Sequence, residues 1–266
     1  MQLLVAGNKE VDAGKTTFTR GLRATLGGRA IKPRAANSRW YHHDTYRESL
    51  AAGALYGKDA KRLAADQSNT TVTEVNPIHR LWQPSTNPDP GLVGPADQEF
   101  VCDRVGEQYV INANATIPDD LHAALPVRDA RIVETLGELN DAMYDLHLPL
   151  LDALEADLEN VDPLLVESYG DIALPTRTLT YDLVAVVEPE RVRYYPGDRF
   201  VRTATAVASS PREGRMEPIV PDVIGELEPI ADRTLPALRR NQRNTDTAIA
   251  RAYRDAYAPV RAEAKA

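Results

Sequence analysis

Apolar and polar positions alternate along the chain in a way that sketches its elements. Gln2–Ala6 is a short apolar run, and Gly7–Gly14 follows as a loop. Thr16–Leu26 carries Phe18, Leu22 and Leu26 at helical spacing and stops at Gly27–Gly28. Ala30–Ile31 predicts a second short strand, ended by Lys32–Pro33. Asp44–Ala65 reads as helix with a break around Gly53–Gly57, and Val72–Gly94 as an irregular loop rich in Pro, Asn and Ser. Glu99–Val105 and Gln108–Asn112 alternate on either side of Gly106–Glu107, which predicts a β-hairpin. Ile132–Leu158 reads as one long amphipathic helix bent at Pro149. Leu164–Glu167, apolar up to its closing glutamate, and Leu183–Val187, apolar throughout, read as strands covered on both faces. Gly197–Ser209 reads as helix, Arg212–Leu238 is broken by prolines, and 245–266 reads as a terminal helix.

Short apolar strands alternating with helices predict an α/β fold, a doubly wound and mostly parallel sheet in three layers. One domain over 1–266 is expected, with 90–130 as an insertion holding the hairpin. Ligands of such sheets bind beyond the carboxyl ends of the strands. Lys15, Lys32, Glu167 and Glu188 all fall at or just after predicted strand ends.

Composition narrows the field. With 266 residues, 43% of them apolar, the chain can fill a full core. No apolar run approaches the ~18 residues of a membrane span, the start does not read as a signal peptide, and Cys102 is the lone cysteine. A cytoplasmic protein with no membrane partner is expected. A net charge of −8 disfavours nucleic acid as a partner. Six of the 31 basic residues are lysines, which fits a salt-loving source or a GC-rich genome equally.

The chemistry concentrates in Gly7-Asn8-Lys9-Glu10-Val11-Asp12-Ala13-Gly14-Lys15-Thr16-Thr17. A glycine-bearing loop between a strand and a helix turns its amides toward phosphate oxygens, and the helix adds its positive end. Asn8 to Thr17 are therefore expected to line a nucleotide, with Lys15 on the terminal phosphates and the Thr16 hydroxyl on Mg²⁺. Lys9 stands where the usual pattern has its first glycine. Asp12 is either a turn former or a group orienting water or a substrate amine. Glu167, closing an apolar strand, is costly unless paired or metal-bound. His42-His43-Asp44 reads as a helix start capped by Asp44. Asn76, His79 and Trp82 line a pocket or pack a loop, and Cys102 is a core filler.

Four segments in order resemble dethiobiotin synthetase-like P-loop ATPases, a branch of the SIMIBI class related to MinD and cobyrinate synthase-type proteins. They are the loop itself, Ile31-Lys32-Pro33, Val75-Asn76-Pro77-Ile78 with Pro84-Ser85 and Pro88, and Leu165-Val166-Glu167-Ser168-Tyr169-Gly170-Asp171-Ile172-Ala173-Leu174-Pro175. The resemblance implies ATP and Mg²⁺ as cofactors. Lys15, Lys32, Asp12 and Glu167 would be catalytic, and Thr16, Glu167 and Asp44 would lie near the metal. Ala36 stands where the family has a hydroxyl residue, and Ser168-Tyr169-Gly170-Asp171 replaces its glycine-rich string, so the substrate half is rebuilt. An ATPase or a ligase-like enzyme acting on a small carboxylate or carbamate is the expected function. One alternative is a MinD-type switch that dimerises on ATP, although Glu10 stands where that subgroup has its signature lysine. A polynucleotide kinase-like transferase is a weaker one. No Asn-Lys-x-Asp guanine-reading motif follows the loop.

Overall fold

The computed structural model describes residues 1–9, 13–85, 92–94, 97–208 and 217–265. The chain divides into two compact units, one made of Met1–Lys32 with Glu155–Ala266 and the other of Pro33–Leu154. The expected single domain is thus two units in contact terms, and 90–130 is part of the second.

The first unit is α/β, built on a six-stranded sheet. β1 (Gln2–Gly7) pairs in parallel with β8 (Leu164–Glu167) on one side and β9 (Leu183–Glu188) on the other, and β2 (Arg29–Ile31) pairs in parallel with β8. β10 (Arg191–Pro196) and β11 (Ala231–Thr234) extend the β9 edge in antiparallel sense, which gives the order β11-β10-β9-β1-β8-β2. Leu3–Ala6, Leu164–Val166 and Val184–Val187 are fully buried, which is why these strands read as unbroken apolar runs. The register sets Val5 opposite Glu167, Gly7 opposite Val187 and Ile31 opposite Val166. The carboxyl ends of the four parallel strands therefore share one edge.

Helix α1 (Lys15–Leu26) follows the loop after β1 and buries Phe18, Thr19, Gly21 and Leu22. Gly21 is where two helices touch: an added Cβ would lie 2.5 Å from both Ile249 Cγ2 and the Tyr257 hydroxyl. Ile249 belongs to α11 (Asp246–Ala252), and the Tyr257 hydroxyl donates to the Phe18 carbonyl at 2.8 Å just before α12 (Ala258–Glu263). The predicted single terminal helix is thus two, parted by a turn ahead of Pro259, which favours a helix start.

The second unit carries a mixed sheet, β3 (Arg34–Ser38), β4 (Ile78–Pro84), β5 (Gln98–Val105), β6 (Gln108–Asn112) and β7 (Arg131–Val133), in that spatial order. β5 and β6 form the predicted hairpin, with Gly106 at φ 62° in its turn. The predicted break in the first helical stretch separates α2 (His43–Ala51) from α3 (Lys58–Ala64). The expectation of an irregular loop over 72–94 is corrected. Its first part holds a capped turn, α4 (Val72–Val75), and the interior strand β4, between β3 and β5; 86–91 lie outside the described residues. The strand was masked in the sequence because its polar residues are buried and paired. His79 Nδ1 lies 3.0 Å from Asn76 Oδ1 and its Nε2 2.6 Å from Asn37 Oδ1, while Arg80 pairs with Asp103. Arg104, its ordinary pKa pulled down to about 10 by burial, donates to the carbonyls of Leu55, Asn76, Pro77 and Gly106.

The long helix expected over 132–158 is also corrected. Ile132 lies in β7, α6 (Leu136–Ala142) starts at a Thr135–Glu138 capping box, and a π-helical turn over Met143–His147 precedes α7 (Leu148–Leu158). That irregular turn falls just ahead of Pro149, whose ring and missing amide disfavour regular helix there. No helix among the described residues is long and apolar enough to cross a membrane.

Candidate functional site

The residues that end the parallel strands of the first unit converge on one carboxylate. Glu167 is fully buried at the end of β8. Its Oε1 accepts the Thr16 hydroxyl at 2.6 Å and the Lys32 ammonium at 2.7 Å. Three elements supply this contact: Thr16 from the first turn of α1, Lys32 from the residue after β2, and Glu167 from β8 between β1 and β2. Lys32 is itself buried, so the pair is shielded from water and its attraction is strong. Glu167 Oε2 is also buried and has no hydrogen-bond partner among the described residues; the same is true of the next hydroxyl, Ser168 Oγ. A buried carboxylate oxygen left unmatched costs free energy, and the usual remedy is a proton donor or a cation.

The loop side of the site brings in a second lysine. Lys15, buried, donates to the Gly170 carbonyl and lies against Gly7, where an added Cβ would come within 2.7 Å of its nitrogen. Gly14 sits at φ 90°, a left-handed conformation that suits glycine, and opens α1 without a side-chain cap. The first turn of α1 contains no acidic residue.

A second carboxylate braces the other flank. Glu188, at the end of β9, accepts Asn8 Nδ2 at 2.6 Å through Oε1 and Arg193 of β10 at 2.9 Å through Oε2. Arg191, Arg193 and residues 224–229 line an open hollow of about 450 Å³.

Asn8, Ala13, Gly14, Lys15, Thr16, Thr17, Lys32 and Glu167 thus lie in the first unit, and Lys15, Thr16, Lys32 and Glu167 are the ones placed around the strand ends. Lys9 is exposed. Glu10, Val11 and Asp12 lie outside the described residues. Asp44 belongs to the second unit, in the first turn of α2, and the Glu167 cluster is built without it. Asn76 and His79 are buried in the second unit's hydrogen-bond chain, and Cys102 is a buried filler whose thiol burial pushes well above its ordinary range. The Gly170 carbonyl and the Arg193 brace were not foreseen. A backbone acceptor leaves no trace in residue type, whereas the alternation of Arg191, Arg193 with Val192, Tyr194 could have exposed β10.

The donor set fits a hard cation held in part by the protein. Among the described residues no group of three or more His, Cys, Asp or Glu is placed to hold a metal. A carboxylate with one unmatched oxygen beside a hydroxyl instead matches Mg²⁺, which binds through one or two protein oxygens and completes its shell with water and phosphate. Compared with protein-family models and with curated proteins, the chain matches none.

Proposed function

We propose that the first unit binds a nucleoside triphosphate, ATP, with Mg²⁺, and uses it in hydrolysis or in the activation of a small carboxylate or carbamate. The observation that carries this reading is the convergence of Thr16 and Lys32 on Glu167 at the edge where the parallel strands end, beside the uncapped start of α1. An anionic ligand suits the start of α1 with Lys15 in its first turn, and the unmatched Glu167 oxygen suits a cation arriving with it.

In this reading the leading amides of α1 hold phosphate oxygens. Lys15 exchanges the Gly170 carbonyl for the terminal phosphates, a short swing for a flexible side chain. Thr16 and Glu167 would hold the magnesium ion. Bound magnesium would neutralise the charge on the phosphoryl group in flight. Lys32 is then released from its tight pairing with Glu167 to face the transferred group or its acceptor. Asn8, fixed by Glu188, anchors the flank of the loop. The hollow behind Arg193 falls within the ~300–1,000 Å³ of small-ligand pockets and would take the nucleoside.

Titration calorimetry with ATP, with and without magnesium, tests the reading. The Lys15→Ala variant is expected to lose at least about tenfold in affinity, and Glu167→Gln to lose the magnesium dependence. Unchanged affinity for Mg-ATP in Lys15→Ala overturns it. Turnover measured with and without small amines and carboxylates then separates hydrolysis from ligation. ATP-dependent dimerisation without turnover marks a switch instead.

A further inference from the structure

One side chain joins the phosphate loop of the first unit to the hollow beside β10. β9 and β10 form a hairpin whose turn is only Pro189–Glu190, with Glu188 and Arg191 opposite each other across it. Glu190 is left-handed there, at φ 65°, a conformation that costs free energy for a residue with a Cβ. The tight turn holds Glu188 close to the first residues of β10.

The register would pair Glu188 with Arg191, which lies directly across from it. Arg191 is instead held by Asp232 of β11, its Nε 3.0 Å from each carboxylate oxygen. Glu188 takes the diagonal neighbour: Nε and Nη2 of Arg193 both reach Oε2 at 2.9 Å. Oε1 is left for a different element and accepts Asn8 Nδ2 at 2.6 Å. Asn8 is the first residue past β1, with its own N–H on the Val187 carbonyl at 3.4 Å. The side chains of Glu188 and Arg193 are 17% and 16% exposed, so their bonds are largely shielded from water. The ladder already closes the hairpin, so the arm to Asn8 acts on the loop. The two oxygens of Glu188 thus serve two places, the start of the phosphate loop and an arginine that lines the hollow of about 450 Å³.

We propose that Glu188 is a positioning residue for the triphosphate site. It sets Asn8 at the start of the loop from the wall of the hollow. Arg193, on that wall, therefore governs phosphate binding through Glu188 and Asn8. This role rests on the reading of the first unit as a nucleotide site, and it adds the part that ties loop to hollow.

Charge and position make opposite demands on Glu188, which gives the test its sign. Removing a negative charge near a triphosphate by itself tightens the anion. Glu188→Gln keeps the shape but has one acceptor oxygen where two are used, and its amide nitrogen faces a donor. A positioning role predicts weaker binding. The probe is tripolyphosphate with magnesium, which has no nucleoside to place in the hollow, titrated by calorimetry at fixed salt. Glu188→Gln is expected to weaken it about fivefold. Arg193→Gln is expected to weaken it about as much, and to have no further effect in an Asn8→Ala background, where the connection is already cut. A loss that came from the charge of Arg193 alone would persist in that background. The Asn8–Arg193 cycle carries the test by itself if circular dichroism shows that Glu188→Gln fails to fold. Tighter or unchanged binding in Glu188→Gln, or an Arg193→Gln effect of equal size with and without Asn8, overturns the positioning role alone. Absence of binding of both ATP and tripolyphosphate to the unaltered chain overturns the nucleotide reading, and this role with it.

Discussion

Among the described residues, the carboxylates of Asp103 and Glu167 have no exposed surface, one in each unit, and they are treated in opposite ways. Asp103 in the second unit is closed. Arg80 grips both of its oxygens, at 2.8 and 2.7 Å, and His147 from the π-helical turn lies 3.3 Å away. The Arg80 guanidinium is covered by the Phe100 ring at 4.7 Å. Burial pushes the Asp103 carboxyl up, but the Arg80 charge and the bonds from Arg80 and His147 more than reverse this and hold it well below the usual range. Glu167 in the first unit is open. Both of its donors crowd onto Oε1, and Oε2 is left unmatched among the described residues. A closed buried charge is a structural fastening, whereas a half-satisfied one at the strand ends is where the proposed ligand would be held.

The largest effect expected from this contrast is on stability. Asp103→Asn takes the buried carboxylate away from the half-buried Arg80 and should cost about 3 kcal/mol in urea denaturation. It should also alter the acid limb. The Asp103 carboxyl is depressed on folding, so its contribution is complete above its unfolded pKa of about 3.9 and is shed as pH falls below that toward the lower folded value. A pH series of denaturation curves should therefore show a shallower acid loss in Asp103→Asn.

Next in size is the response to ligand. Mg-ATP at about a hundred times its dissociation constant should stabilise the unaltered chain by about 2.7 kcal/mol. Asp103→Asn should keep that increment, measured as the shift between paired denaturation curves, and Glu167→Gln should lose it. An increment that survives in Glu167→Gln would erase the distinction between the two carboxylates. The smallest effect tests the loop. In Gly7→Ala the new methyl lies 2.7 Å from Lys15 Nζ, 3.0 Å from its Cδ and 3.2 Å from Ala13 Cβ, so Lys15 must move and the loop give slightly. Stability should fall by about 1 kcal/mol, while ATP affinity measured by calorimetry falls about tenfold, or ~1.4 kcal/mol.

Much of the first unit could be read from residue order. β1, α1, β8 and β9 are uninterrupted apolar patterns, and Lys15, Thr16, Lys32 and Glu167 stand out because each follows or closes one of them. β4 escaped for the opposite reason: His79, Arg80 and Gln83 look like surface residues and are held inside by partners far along the chain. The stretch after 130 escaped because apolar residues at mixed spacing run through a strand, a helix and a π-helical turn without a strong breaker until Pro149. Asp44, assigned toward the metal by its order after Lys32, falls in the other unit, since sequence order alone says nothing of which unit a residue joins.

The glycine at position 21 has a bearing on how the protein may be handled. Because Ile249 and Tyr257 press into the gap it leaves, the last two helices form the backing of the helix that begins at Lys15. Trimming the chain near residue 245, or nicking it there with a protease, would expose Phe18 and Leu22 to water and loosen the support behind Lys15 and Thr16. If the proposed reading holds, a shortened preparation would lose nucleotide with every loop residue intact, and the fault would lie some 230 positions downstream.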